Sequence, residues 1–164
     1  MRLVKSMVVG AAAVAAVVAT AAPAPADTIG ASAAFRNVSS GLCIDNFGRG
    51  NGGHVVQFTC NGGVYQQWLF QPVSNGSTVG KIISVQSNLC LDVSGGTTAD
   101  GAYVIQYTCN GNSNQRWQIV AGAGLELRPQ HASLRCLSAI GSSGSDLGQR
   151  VCLGQNTSQG GTPQ

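Results

Sequence analysis

Residues 88–117 decide the fold. They read Asn88-Leu-Cys-Leu-Asp92, a glycine-rich stretch, Val104-Ile-Gln-Tyr-Thr-Cys-Asn-Gly-Asn112, and then Gln115-Arg-Trp117. An earlier stretch repeats the pattern: Gly41-Leu-Cys-Ile-Asp45, Val55-Val-Gln-Phe-Thr-Cys-Asn-Gly-Gly63 and Gln66-Gln-Trp68. A third copy begins at Leu134-Arg-Cys-Leu-Ser138 and runs through Gly/Ser-rich sequence to Gly148-Gln-Arg-Val-Cys152. The first cysteines are spaced by 47 and 46 residues, and the second cysteine follows the first by 17, 19 and 16. A fixed period of this size marks a body assembled from like units, none of which buries its apolar face alone.

Working outward from the repeats, the remaining sequence separates into a leader and one domain. Arg2 and Lys5 precede a nearly pure Ala/Val run from Met7 to Ala22, followed by Ala24-Pro25-Ala26. This reads as a secretory signal peptide over residues 1–26, cleaved before Asp27. The run is shorter than the roughly 20 residues that span a bilayer, so no membrane insertion is expected after cleavage. Residues 27–164 form one domain with repeats at about 33–73, 80–121 and 124–164. The leader takes two of the nine basic residues and none of the six acidic ones, so the net charge falls from +3 to +1. That balance excludes a nucleic-acid-binding surface. The 43% hydrophobic content excludes a disordered chain.

Six cysteines in an exported chain point to disulfides. Counting alone leaves 15 connectivities open. Two cysteines per repeat make within-repeat pairing the simplest: Cys43–Cys60, Cys90–Cys109 and Cys136–Cys152. Each short loop closed this way contributes on the order of 3 kcal/mol in the chain-entropy picture. No C-x-x-C or His-x-x-x-His spacing occurs, so neither metal nor cofactor is expected.

Short runs rich in β-branched and aromatic residues, such as Cys43-Ile-Asp and Tyr103-Val-Ile-Gln-Tyr, are separated by Gly, Asn, Ser and Asp clusters. They predict about four strands per repeat and a closed pseudo-threefold, all-β body.

Gln66-Gln-Trp68 and Gln115-Arg-Trp117 are Q-x-W motifs. With Cys-Ile/Leu-Asp upstream and Cys-Asn-Gly between, residues 33–155 resemble the ricin B-chain-like lectins, including the family-thirteen carbohydrate-binding modules. The resemblance implies a β-trefoil. It also implies a shallow sugar pocket in each lobe: an Asp accepting sugar hydroxyls, an aromatic platform two residues before the second Cys, an Asn and the Q-x-W Gln. The chemistry suits the task. A carboxylate offers several acceptor positions to vicinal hydroxyls, and an aromatic face matches the C–H side of a pyranose.

Carried over by position, the second lobe has the full set: Asp92, Tyr107, Asn114 and Gln115. The first has Asp45, Phe58 and Gln66, with Tyr65 where the Asn belongs, either weakening the site or giving it a second aromatic wall. In the third lobe Ser138 replaces the Asp and Arg150 the aromatic, and no site is carried over. Trp68 and Trp117 read as core residues. Gln66 and Gln115 either brace the lobe or touch ligand. Asp45 and Asp92 either cap turns or line pockets. His54 and His131 occupy non-equivalent places and read as surface residues.

The third repeat is degenerate. None of the nine aromatic residues lies beyond Trp117, Gly161 stands at the Trp position, and no apolar closing strand is expected there. Either the third lobe is loose, or the chain is shortened relative to a complete ancestor.

The expected function is a secreted, monomeric lectin module that binds neutral sugars of a polysaccharide or glycan without catalysis. A glycosidase needs two carboxylates across one cleft, and the six acidic residues are scattered. With the leader running straight into the first repeat, no room for a catalytic domain is expected. The alternative is a protein-binding trefoil, such as a protease inhibitor or a toxin-associated subunit, although no segment marks an exposed reactive loop.

Overall fold

The structure, a computed structural model, describes residues 32–121, 125–139, 141–152 and 160–163. The expected leader, residues 1–26, lies outside the described residues. The strands are β1 (Phe35–Asn37), β2 (Cys43–Asp45), β3 (Val56–Phe58), β4 (Trp68–Pro72), β5 (Val79–Ser84), β6 (Cys90–Val93), β7 (Val104–Tyr107), β8 (Arg116–Ala121), β9 (Leu125–Pro129), β10 (Arg135–Ala139), β11 (Leu147–Val151) and β12 (Gly160–Pro163). Single 3-10 turns interrupt them, and among the described residues no helix is long and apolar enough to cross a membrane.

The strands β1, β12, β9, β8, β5 and β4 pair in that order, all antiparallel. The ring closes where Ala33 and Trp68 exchange backbone hydrogen bonds of 2.9 and 3.0 Å. Closure removes the unpaired sheet edges that would otherwise invite aggregation. Three hairpins, β2–β3, β6–β7 and β10–β11, cap this barrel and bond to one another through Val55 N–H to Val104 O, Leu147 N–H to Val55 O and Gln149 N–H to Ala102 O. The all-β trefoil expected from the repeats is therefore the observed fold.

Alternation builds the barrel wall. In β5 every second residue is buried, and Ile82 faces the core. Gly80 sits where β4, β5 and β8 press together; a β-carbon there would lie 2.4 Å from Gln71 O, so only glycine fits. Trp68 and Trp117 are fully buried, and their indole N–H groups donate to Ile44 O (3.1 Å) and Leu91 O (2.9 Å). The disulfides pair Cys43 with Cys60, Cys90 with Cys109 and Cys136 with Cys152.

One polar residue recurs in all three lobes and was not singled out by the Q-x-W pattern. Gln57, Gln106 and Gln149 each stand three residues before the second cysteine, and all are buried. Their amides reach into a neighbouring lobe: Gln57 Nε2 donates to Gly141 O (2.8 Å), Gln106 Nε2 to Arg49 O, and Gln149 Nε2 to Thr97 O (2.7 Å) and Ala99 O (2.8 Å). Ser40 and Ser87 hydroxyls donate to the Oε1 of Gln57 (3.1 Å) and Gln106 (2.7 Å).

The third lobe corrects the expectation of a missing closing strand. β12 occupies that place through backbone pairing with β1 and β9. Its hairpin β10–β11 is paired over five positions, so the hairpin is formed. What is missing is the side chain. Gly161 pairs with Asn37, six residues before Cys43, as Trp68 pairs with Ser84, six residues before Cys90. A small cavity of about 30 Å³ lies beside this position among Phe35, Ile44, Leu127, Leu137, Ala139 and Leu147.

One stability outcome follows. Gln106→Leu leaves the Ser87 hydroxyl and Arg49 carbonyl without their partner and lowers stability by about 1–3 kcal/mol in denaturant titration.

Candidate functional site

The strand register builds the second-lobe site. In β6–β7, Cys90 lies opposite Tyr107 and Asp92 opposite Ile105. Residues opposite and two apart share a sheet face, so Asp92 and Tyr107 are diagonal neighbours on one face. Leu91 and Gln106 project to the other, toward the core. Tyr107 is 42% exposed, whereas Asp92 is almost wholly enclosed.

The turn after Cys109 supplies the polar frame. Gln115 is fully buried; its Nε2 donates to Asp92 Oδ2 (2.7 Å) and Thr108 O (2.9 Å), and its Oε1 accepts the Asn110 N–H (2.8 Å). Asn114 is half-buried, and its Nδ2 donates to Asp92 Oδ1 (3.0 Å) and Val93 O (3.1 Å). Its own Oδ1 makes no hydrogen bond among the described residues. The carboxylate is thus clamped from behind, with lone pairs remaining on both oxygens. Of the two roles open for Gln115, bracing is the one its burial and saturated bonding permit.

Burial holds the Asp92 carboxyl above its usual range, against the hydrogen bonds from Gln115 and Asn114 and the positive charge of His131, which lower it. His131, read as a surface residue, influences this carboxyl electrostatically from the third repeat. Its Nε2 lies 2.9 Å from Thr97 O, and its Nδ1 is enclosed without a partner among the described residues. Non-equivalence within the repeats hid an influence that only tertiary packing creates.

The first lobe copies the frame and changes the rim. Gln66, fully buried, donates to Asp45 Oδ2 (3.0 Å) and Thr59 O (2.9 Å) and accepts the Asn61 N–H (2.9 Å), so it too braces. Asp45 Oδ1 accepts the Phe47 N–H at 2.6 Å. Asp45 therefore caps a turn, one of the two roles open to it. Phe58 lies opposite Cys43 as Tyr107 lies opposite Cys90, but it is only partly exposed.

Among the described residues the third lobe offers no such frame. Ser138 and Arg150 occupy the equivalent places, and Arg150 Nη1 lies 3.7 Å from Asp100 Oδ2, beside an Arg135–Asp100 bond of 3.1 Å. His54 pairs with Asp146 at 3.0 Å and stacks on Tyr103 with centroids 4.4 Å apart. Among the described residues the one grouping of metal-type side chains is Glu126 with Cys136 and Cys152, whose sulfurs are consumed in a disulfide.

Residues 31–162 match the family model of the ricin-type beta-trefoil lectin domain, and the chain belongs to that family, whose domains bind carbohydrate. No curated protein sequence matches it. Among solved structures it is similar to the designed threefold-symmetric protein ThreeFoil, at 28% identity and a TM-score of 0.72, over 80% of this chain and 97% of that one. It is also similar to 1,3Gal43A, an exo-beta-1,3-galactanase from Clostridium thermocellum, at 29% identity and a TM-score of 0.74. That match covers 85% of this chain but spans only 30% of the galactanase. The Rhizoctonia solani agglutinin shares the fold at 17% identity and a TM-score of 0.71, over 85% and 98% of the two chains.

The raised Asp92 value has a definite sign. The folded protein holds this proton to higher pH than the unfolded chain, so the Asp92 contribution to stability falls as pH rises through the interval between the two values. Carboxyl-carbon NMR titration is expected to place the Asp92 midpoint above that of an unfolded-peptide Asp. A midpoint at or below the peptide value would remove desolvation as the dominant effect.

Proposed function

We propose that this chain is a secreted, monomeric, non-catalytic lectin that binds neutral sugars chiefly through its second lobe. One observation carries the reading: the Asp92 carboxylate is fixed by Gln115 and Asn114 beside the exposed ring of Tyr107. In this reading Asp92 accepts two sugar hydroxyls, Tyr107 stacks on the C–H face, and the open Oδ1 of Asn114 takes a third hydroxyl. Gln115 orients the carboxylate and does not touch ligand. Asp45, Phe58 and Gln66 form the corresponding first-lobe site.

Secretion is supported by the leader-like residues 1–26 and by three disulfides, which persist in oxidising compartments. A neutral ligand is supported by the near-balanced charge without the leader. With one full site and one altered site, binding is weak, without the gain that three equivalent lobes would give.

Glycan-array binding by the disulfide-bonded protein is the direct test. Asp92→Ala with Tyr107→Ala should reduce the signal by at least about tenfold, the scale of one charge-assisted hydrogen bond plus one aromatic contact. Undiminished binding in that double variant would reject the site. Glycan hydrolysis by the pure protein would reject the non-catalytic reading, and protease inhibition without any glycan binding would favour a protein-binding trefoil.

A further inference from the structure

The first lobe differs from the second at three positions around the same carboxylate. Phe47 stands where the second lobe has Ser94, Tyr65 where it has Asn114, and Phe58 where it has Tyr107. At two of them a hydroxyl or amide gives way to an aromatic ring, and at the third an aromatic ring loses its hydroxyl.

The geometry moves the apolar surface from the strand to the loop. The Phe47 ring packs on Phe58 with centroids 5.3 Å apart and planes at 65°, covering part of it. The exposed rings of this lobe are those of Phe47, 49% exposed, and Tyr65, 45% exposed. Both flank Gly48, whose φ is +65°; a β-carbon there would lie 3.2 Å from Tyr65 Cζ. The chain thus makes a close, glycine-dependent turn between two solvent-facing aromatics.

Phe47 is held in place against its own preferences. Its φ of +55° lies in the left-handed region that residues with a β-carbon avoid. Asp45 Oδ1 fixes its N–H at 2.6 Å. The Arg49 guanidinium carbon sits 5.4 Å from its ring centroid, and Arg49 is itself tied to His54 O at 3.0 Å and lies 3.7 Å from Asp146 Oδ1. A strained backbone thus presents a half-exposed Phe beside a braced carboxylate, and such strain gathers at binding sites.

The polar side of the lobe is correspondingly poorer. Each Asp45 oxygen accepts one internal bond, as each Asp92 oxygen does, but no amide oxygen replaces that of Asn114. A sugar bearing only hydroxyls loses partners here, and one bearing an apolar group gains them.

We propose that the first lobe selects glycosides that carry an apolar substituent next to the sugar ring, and that Phe47 sets this preference. The proposal rests on the carbohydrate-binding reading of this chain. The substituent lies against Phe47 and Tyr65 while Asp45 holds ring hydroxyls.

The test is an amide NMR titration of the disulfide-bonded protein with methyl and phenyl β-D-galactopyranoside, methyl and phenyl β-D-xylopyranoside, and phenol. In at least one sugar pair the phenyl glycoside should bind the first-lobe amides of Phe47, Gly48 and Tyr65 about fivefold more tightly than the methyl glycoside, the scale of one aromatic contact. In Phe47→Ser, which installs the second-lobe residue, that ratio should fall to about one, while Phe47→Tyr keeps it. The second-lobe amides of Ser94 and Asn114 should respond alike in all three proteins. Equal first-lobe affinities within both pairs, no first-lobe response to any of the four glycosides, or equal first-lobe shifts with phenol alone would each overturn the proposal. A second-lobe response accompanying any of these keeps the carbohydrate reading while removing the first-lobe selectivity.

Discussion

A buried side-chain amide without partners costs about 1–3 kcal/mol, and this fold buries one in every lobe. Gln57, Gln106 and Gln149 find acceptors for their N–H groups in a different lobe from their own. No lobe supplies the acceptors for the side-chain N–H groups of its own member of this set. The lobes are therefore bound to one another by a polar requirement as well as by the shared apolar core of Trp68, Ile82, Leu91, Trp117 and Leu137. Hydrophobic burial is non-directional, whereas these amides accept only carbonyls at particular places. They fix how the hairpin cap closes, and the cap is where the candidate sites lie.

A second set of glutamines applies the same logic to function. Gln66 and Gln115 are as buried as the interlobe set, but they spend one N–H each on a carboxylate. The backbone of the preceding turn saturates their remaining capacity, so their orientation is not adjustable. In the proposed lectin reading the carboxylate they hold is therefore already ordered for ligand, which lowers the entropy lost on binding. The cost is desolvation, visible as the raised proton affinity of Asp92. A more open carboxylate would be easier to ionise but freer to rotate.

Much of this was legible in the sequence, for reasons that differ by residue. The paired cysteines and the Q-x-W motifs repeat, and repetition carries the threefold fold and places Asp92 beside Tyr107. The strand β12 was not legible, because Gly-Gly-Thr-Pro has no strand-like side-chain pattern and pairs through backbone alone. The interlobe glutamines leave a full signal, standing three residues before the second cysteine in every copy. What they bond to is a loop of another lobe, and no local spacing reveals that. Phe47 is illegible for the opposite reason: a left-handed Phe is so disfavoured that local rules predict against it.

These separations explain how the three lobes differ while the body stays whole. Closure depends on backbone pairing, on the interlobe amides and on core positions, none of which is a rim residue. Positions such as Phe47, Tyr65, Ser94, Asn114 and Arg150 face outward and carry little of that burden. Substitution there changes what a lobe presents without disturbing how it docks. The third lobe shows the limit of this freedom. Its rim holds Ser138 and Arg150 in place of the Asp and the aromatic, and Arg150 faces Asp100 across the lobe boundary. Its core position holds Gly161 in place of a Trp, and there the consequence is empty space beside Leu137. Rim divergence costs a ligand contact, whereas core divergence costs packing, and only the first is free to follow selection for a new sugar.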